Sequence, residues 1–283
     1  MENRIQGSDV DMESPQNVSQ LDISTVIRHE IIQHLHNVHN SNQLLSAIVK
    51  STKAESYIIS INSNNLLALK KINNLLDFLA QPQRYDDYMA VNLQKIDVVK
   101  FVRWMHKRIC ELITKPNNIN FQLKMGIESL FIFTDVKRLE KILYNIISNS
   151  LQHTVRKGGN NICLSVDETD IQVKVSVRDL SGGAVDESSI FETYKNIESS
   201  GIIPPSGAGL GLAVALKHAR EMGAEILFET TAGQGSKAEV SLPKNLGLAS
   251  ERLPIKDAAA LFEPDDFLIL ACFSDVFENE EDS

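Results

Sequence analysis

Asp135-Val-Lys-Arg-Leu-Glu-Lys-Ile-Leu-Tyr-Asn145-Ile-Ile-Ser-Asn149-Ser-Leu-Gln-His-Thr154 is the stretch on which the fold turns. Asp135 has the side chain of a helix N-cap, and Leu139, Ile142, Leu143, Ile146, Ile147 and Leu151 return at steps of three and four. That spacing predicts a helix with one strongly apolar face. Asn145 and Asn149 stand at i and i+4, so the two amides share a face. Alone they would be no more than a polar helix surface.

On either side of this helix the two periods alternate. Asp97 is a plausible N-cap for a helix reaching about residue 113, closed by Lys115-Pro116-Asn117-Asn118. Short strands are expected at 120–124 and 130–133, and residues 162–166 and 171–177 alternate around Glu168-Thr169-Asp170, a hairpin signature. A glycine-opened helix is expected over 209–222, then strands over 224–229 and 237–242 around Gly233-Gln234-Gly235. Helices mixed with mostly antiparallel strands predict a two-layer α/β sandwich over residues 91–243.

Upstream the pattern is purely helical. Ile27, Ile31, Leu35, Val38, Asn42, Leu45 and Val49 step by threes and fours, and Ile58, Ile61, Asn65, Leu69, Ile72, Leu76 and Leu79 do so again. A link near 51–55 is too short for anything but antiparallel packing, so residues 22–82 are expected to form a helical hairpin. A lone hairpin leaves apolar surface uncovered, and pairing with a second copy as a four-helix bundle would cover it. The expected fold class is α+β: a flexible leader (1–21), the hairpin, the sandwich and an acidic extension (244–283).

Composition narrows the function. Of the 283 residues, 43% are hydrophobic and 23% charged, as in a globular protein with a full core. The longest apolar run, Phe267 to Phe273, has seven residues, against the roughly 20 needed to span a bilayer. No membrane span or secretory leader is expected. Cys110, Cys163 and Cys272 are odd in number and widely spaced, which argues for a reducing, cytoplasmic setting. Residues 245–283 hold ten acids against two bases, or −8, leaving 27 acids and 26 bases, or −1, for the remainder. A near-neutral body lacks the clustered cations of a nucleic-acid binder.

Gly207-Ala-Gly-Leu-Gly211-Leu212 opens the helix expected at 209–222. Glycines there let the backbone approach a phosphate, and the free N–H groups of a helix start favour an anion. The preceding segment, Ser199-Ser-Gly-Ile-Ile-Pro-Pro-Ser206, is loop rather than the strand that a Rossmann site requires, and the Gly-Lys-Ser/Thr of a Walker loop is missing. The glycines follow, in order, Asn145 and Asn149, then Arg178-Asp179-Leu-Ser-Gly182-Gly183, then Ile190-Phe191-Glu192.

This ordered set resembles the N, first glycine, F and second glycine boxes of the Bergerat-type ATP-binding domain of sensor histidine kinases. Arg28-His29-Glu30-Ile31 in the hairpin resembles the phosphoacceptor box of the same family, so the resemblance covers roughly residues 22–243. It implies a histidine kinase using ATP and Mg²⁺. His29 would be the phosphoacceptor, with Glu30 beside it to orient the ring and take up its proton. Asn145 and Asn149 would belong to the nucleotide site, Asn149 as the Mg²⁺ ligand. Asp179 would accept the adenine amine, Gly183 would pass close to the base, and Gly207, Gly209, Gly211 and Leu212 would receive the phosphates. The implied partners are a second copy through the hairpin and a response-regulator receiver domain whose aspartate takes the phosphate.

The chain departs from the family pattern at Ser181, where a glycine is usual, and at Gln152, where a basic residue is common. These departures motivate the alternative expectation, a degenerate two-component adaptor or phosphotransfer protein with a weak or inactive nucleotide site. A gyrase-like ATPase lacks its base here, since Asn145 stands four before Asn149 where those enzymes carry a glutamate.

Overall fold

The structure, a computed structural model, describes residues 20–49, 52–79, 92–114, 117–179, 210–231, 235–244 and 266–276. Two long helices, α1 (Gln20–Ile48) and α2 (Thr52–Leu79), open the chain. They run antiparallel. Asn65 Nδ2 donates to the Leu35 carbonyl over 2.8 Å, and His39 Nδ1 lies 2.7 Å from Asn62 Oδ1, so one residue number rises as its partner's falls. Helix α2 already begins at Thr52, earlier than the sequence suggests, and carries Glu55 in its first turn, where a carboxylate favours a helix start. Helical backbone also begins at Gln20, so the last two positions of the expected leader are helical. Helix ends scatter by one or two residues, and the difference here is of that size.

The sandwich follows. Strand β1 (Leu93–Asp97) pairs antiparallel with β3 (Phe131–Asp135) as a two-stranded ribbon, while β2 (Asn120–Met125), β4 (Asn161–Glu168), β5 (Gln172–Asp179), β6 (Glu225–Thr231) and β7 (Gly235–Pro243) form a sheet of order β2-β4-β5-β7-β6. The β2–β4 pair is parallel and the others antiparallel. Strand β1 is absent from the sequence reading. Its five residues carry no clear alternation, and it is held by a partner strand well downstream.

Three helices cover one face of the sheet: α3 (Val98–Ile109), α4 (Val136–Arg156) and α5 (Leu210–Glu221). Asp97 caps α3, its buried carboxylate accepting from the amides of Val99 and Lys100 and from Ser129 Oγ. A π-helical turn at Cys110–Thr114 extends α3 and keeps Ile113 and Thr114 buried. Asp135 caps α4 through the Arg138 amide. Leu139, Ile142, Leu143, Ile146, Ile147 and Leu151 of α4 are all buried, in one cluster with Leu164 and Val166 of β4, Val173, Val175 and Val177 of β5 and Val240 of β7.

The seven-residue run at 267–273 lies within α6 (Asp266–Cys272) and the turn after it. It packs back on the molecule as a helix, not as an extra strand. The chain has no helix long and apolar enough to cross a membrane among the described residues.

The face of the sheet away from the helices is polar. Glu239 of β7 stands opposite Ser176 in the register and accepts from Lys174 Nζ (2.6 Å), Lys237 Nζ (2.5 Å) and Ser176 Oγ (3.1 Å). Burial alone would raise this carboxyl, but the two ammonium groups and the hydroxyl outweigh burial and hold it at about 2, against an ordinary 4.5. With a folded value below the unfolded one, the network stabilises the fold fully above about pH 4.5 and loses that contribution as the pH falls towards 2. Melting temperatures of the wild type and Glu239→Gln should therefore differ most at neutral pH and converge across that acid window; a constant difference would contradict the assignment.

Candidate functional site

The apolar face of α4 fixes how its other residues are presented. With Ile146 and Ile147 held in the core, Asn149 is exposed at the helix surface and His153 follows one turn later. Across from them, Asp179 ends β5 and is only 2% exposed. His153 Nδ1 lies 3.1 Å from Asp179 Oδ2, and the Ser236 amide donates to Asp179 Oδ1 over 3.2 Å. In the tautomer that carries its proton on Nδ1, His153 donates to the Asp179 carboxylate. Asn149, His153 and Asp179 thus border one cleft, with Phe228 of β6 and Ser236 and Lys237 of β7 on its other sides.

The cleft measures about 190 Å³, below the ~300–1,000 Å³ of pockets that hold drug-sized ligands. Its described walls suit a group the size of a heterocyclic base. A buried carboxylate at the floor can accept a hydrogen bond from an amine, and the neighbouring aromatic ring of Phe228 offers an apolar surface.

Among the described residues no group of three His, Cys, Asp or Glu could hold a metal ion. An exposed amide oxygen at Asn149 fits a single contact to a hard cation that keeps most of its waters and bridges phosphates.

The other residues singled out from the sequence are placed as follows. Asn145 shares the helix face of Asn149 but does not border the cleft. Its Nδ2 donates to the Lys141 carbonyl, and its Oδ1 faces Gly211, where an added Cβ would lie only 2.5 Å away. Gly211 therefore permits α5 to start close against α4. Leu212 is half-buried in the first turn of α5, the end of the helix that carries the partial positive charge of its dipole. Gly183, Gly207 and Gly209 lie outside the described residues. Glu30 is exposed on α1; His29 belongs to the same helix, and its side chain lies outside the described residues.

Lys217 anchors α5 to the hairpin, donating to the carbonyls of Asp77 and Phe78 at the end of α2. Burial lowers its pKa, opposed by the charges of Glu221 and Asp77. Lys141 of α4 reaches the Asp77 carboxylate at 2.7 Å. The helix bearing Asn149 and the helix bearing Gly211 are thus both tied to the end of α2.

His153, Gly235 and Ser236 join the site without a role expected of them from the sequence. For His153 the sequence carries a signal, four residues after Asn149 on the same face. Gly235 reads as a turn residue, yet its importance is tertiary. It has φ +85°, and a Cβ there would sit 2.1 Å from the Asp179 carbonyl oxygen.

Residues 134–246 match the family described as histidine kinase-, DNA gyrase B-, and HSP90-like ATPase. Sensor histidine kinase WalK of Bacillus subtilis is 25% identical over 178 residues, 62% of this chain and 29% of that protein. Sensor histidine kinase MtrB of Mycolicibacterium paratuberculosis is 26% identical over 238 residues, 81% of this chain and 40% of that protein. The chain therefore spans less than half the length of these relatives. Among solved structures, full-length ShkA in complex with AMPPNP superposes with a TM-score of 0.58 at 21% identity, over 80% of this chain and 46% of that one. Histidine kinase ThkA in complex with the response regulator TrrA gives 0.52 at 19% identity, over 79% and 61%. At these identities the superpositions speak for the fold.

The close approach at Gly235 makes a direct prediction. Gly235→Ala combines a left-handed backbone with a clash against main chain, and should cost about 2 kcal/mol or more. It should also displace Asp179, read as a lower melting temperature and loss of the His153–Asp179 contact in NMR spectra. A variant as stable as wild type would contradict the geometry.

Proposed function

We propose that this relative of the sensor histidine kinases, with its ATPase-family domain at residues 134–246, binds ATP–Mg²⁺ in the cleft between α4 and Asp179, phosphorylates its own His29, and passes the phosphate to an aspartate of a receiver domain. One observation carries the reading. Asn149 and Asp179, distant in sequence, meet at one cleft in a chain whose preceding hairpin holds a His-Glu pair.

Asp179, fixed by His153 and Ser236, would present a lone pair to the exocyclic amine of adenine. The amides opening α5, with Gly207, Gly209, Gly211 and Leu212, would receive the phosphates, and Gly183 would pass beside the base. Asn149 would hold the Mg²⁺, which when bound spreads the charge of the transferring phosphoryl group. Asn145, packed on Gly211, would set the spacing between α4 and the phosphate-binding turn. His29 would attack the γ-phosphorus of ATP as a neutral imidazole, the new N–P bond forming as the P–O bond to the β–γ bridging oxygen breaks and ADP leaves, while Glu30 orients the ring and takes up its proton.

Second copies and receivers belong to the same reading. Leu44, Ile48, Tyr57 and Ile59 of the hairpin are each at least 60% exposed, which supports pairing with another copy as a four-helix bundle. Three free thiols fit a reducing, cytoplasmic setting.

A non-catalytic adaptor is the second reading, favoured by Gln152, whose side-chain amide donates to the Asp275 carbonyl where many kinases carry a cation. Incubation with γ-labelled ATP and Mg²⁺ separates the two. Acid-labile, base-stable label on the wild type and none on His29→Ala is expected of the kinase. No label on either, with nucleotide still bound, would overturn the kinase in favour of the adaptor.

A further inference from the structure

We infer that residues 266–276 form an intramolecular strap that holds the ATPase-type domain against the helical hairpin, and that this strap must let go for phosphoryl transfer to turn over. The holding follows from contacts alone; the need for release rests on the function proposed above.

Helix α6 is apolar on two sides because it lies between two bodies. Phe267 and Ala271, one turn apart, are buried with Leu66 and Leu69 of α2, and Ile32 and Leu35 of α1 pack against them. The Phe267 ring centroid lies 4.0 Å from that of His36 and 4.6 Å from that of His39. On the other side Ile269 and Phe273, again one turn apart, join Val276 in the core of the sandwich. A helix apolar all round is stable only where both sides are covered.

Polar contacts lock the same arrangement. Asp275 Oδ1 accepts from Lys70 Nζ of α2 at 2.5 Å and from Ser148 Oγ of α4 at 3.5 Å, and Lys70 also donates to Ser148 Oγ over 2.9 Å. One carboxylate therefore joins hairpin, domain and strap. At the other end Arg108 pairs with Asp266. Gln152 borders the nucleotide cleft and donates to the Asp275 carbonyl over 3.0 Å, so the strap also touches the rim of the site.

Release is required by the order of the chemistry. The same imidazole must face a nucleotide in one step and a receiver aspartate in the next, with reacting atoms about 3–3.5 Å apart each time. One fixed arrangement of hairpin and domain cannot serve both. The strap holds α1 at Ile32 to His39, directly after His29, and so restrains the segment that has to change partners.

The test uses the full-length chain with Phe267→Ala and Asp275→Asn. Hydrogen exchange by mass spectrometry is read in the peptides covering 32–39 and 66–70, beside the rate of His29 labelling and the affinity for an ATP analogue. Exchange in both peptides should rise about tenfold in Phe267→Ala and severalfold in Asp275→Asn. Labelling should rise about threefold or more, with analogue affinity within about twofold of wild type. Unchanged exchange would overturn the strap, and faster exchange with unchanged or slower labelling would overturn the requirement for release. Should Phe267→Ala fail to fold, the near-isosteric Asp275→Asn decides alone, its side chain being 24% exposed. Absence of label in every form would refute the kinase reading, and exchange would still decide whether the strap exists.

Discussion

The apolar face of α4 is the constraint from which the rest follows. Six side chains, Leu139, Ile142, Leu143, Ile146, Ile147 and Leu151, are 1% exposed or less against the sheet, each contributing about 1.5–3 kcal/mol on burial. With that face committed, helical geometry leaves no freedom in what the opposite rim presents. Asn149 and His153 must look towards the end of β5, and Asn145 must look towards α5. A one-residue shift of the apolar pattern would turn the amide of Asn149 away from Asp179 by about 100°.

Asp179 is the second fixed point. Its carboxylate is buried but satisfied, by His153 from the helix layer and by the Ser236 amide from the next strand. Left without donors, a buried carboxylate would carry a heavy desolvation penalty. With them it becomes a rigid acceptor at the base of a cleft. Gly235 is the condition for this, because any side chain there would collide with the main chain of Asp179 itself. The chemistry of the site thus depends on a glycine whose contribution is the space it leaves.

Much of this is legible in the sequence where it is local. The cap at Asp135, the stepping of α4 and the alternation of β4 and β5 are short-range signals, and they place Asn149 on a helix and Asp179 at a strand end. What is not legible is non-local. Strand β1 exists because β3 pairs with it, and β2 runs parallel to β4 through a long connection. The run at 267–273 shows the limit of periodicity, since a short continuous apolar stretch fits a buried strand or a buried helix equally. Its two-sided environment, hairpin on one side and sandwich on the other, selects the helix.

Calorimetric titration of the full-length chain with a non-hydrolysable ATP analogue and Mg²⁺, beside Asp179→Asn, tests the nucleotide assignment most directly. The wild type is expected to show saturable one-site binding, and the variant a loss of at least about tenfold in affinity, or about 1.4 kcal/mol. Equal affinity in both proteins, with folding intact, would place the nucleotide away from the α4–Asp179 cleft.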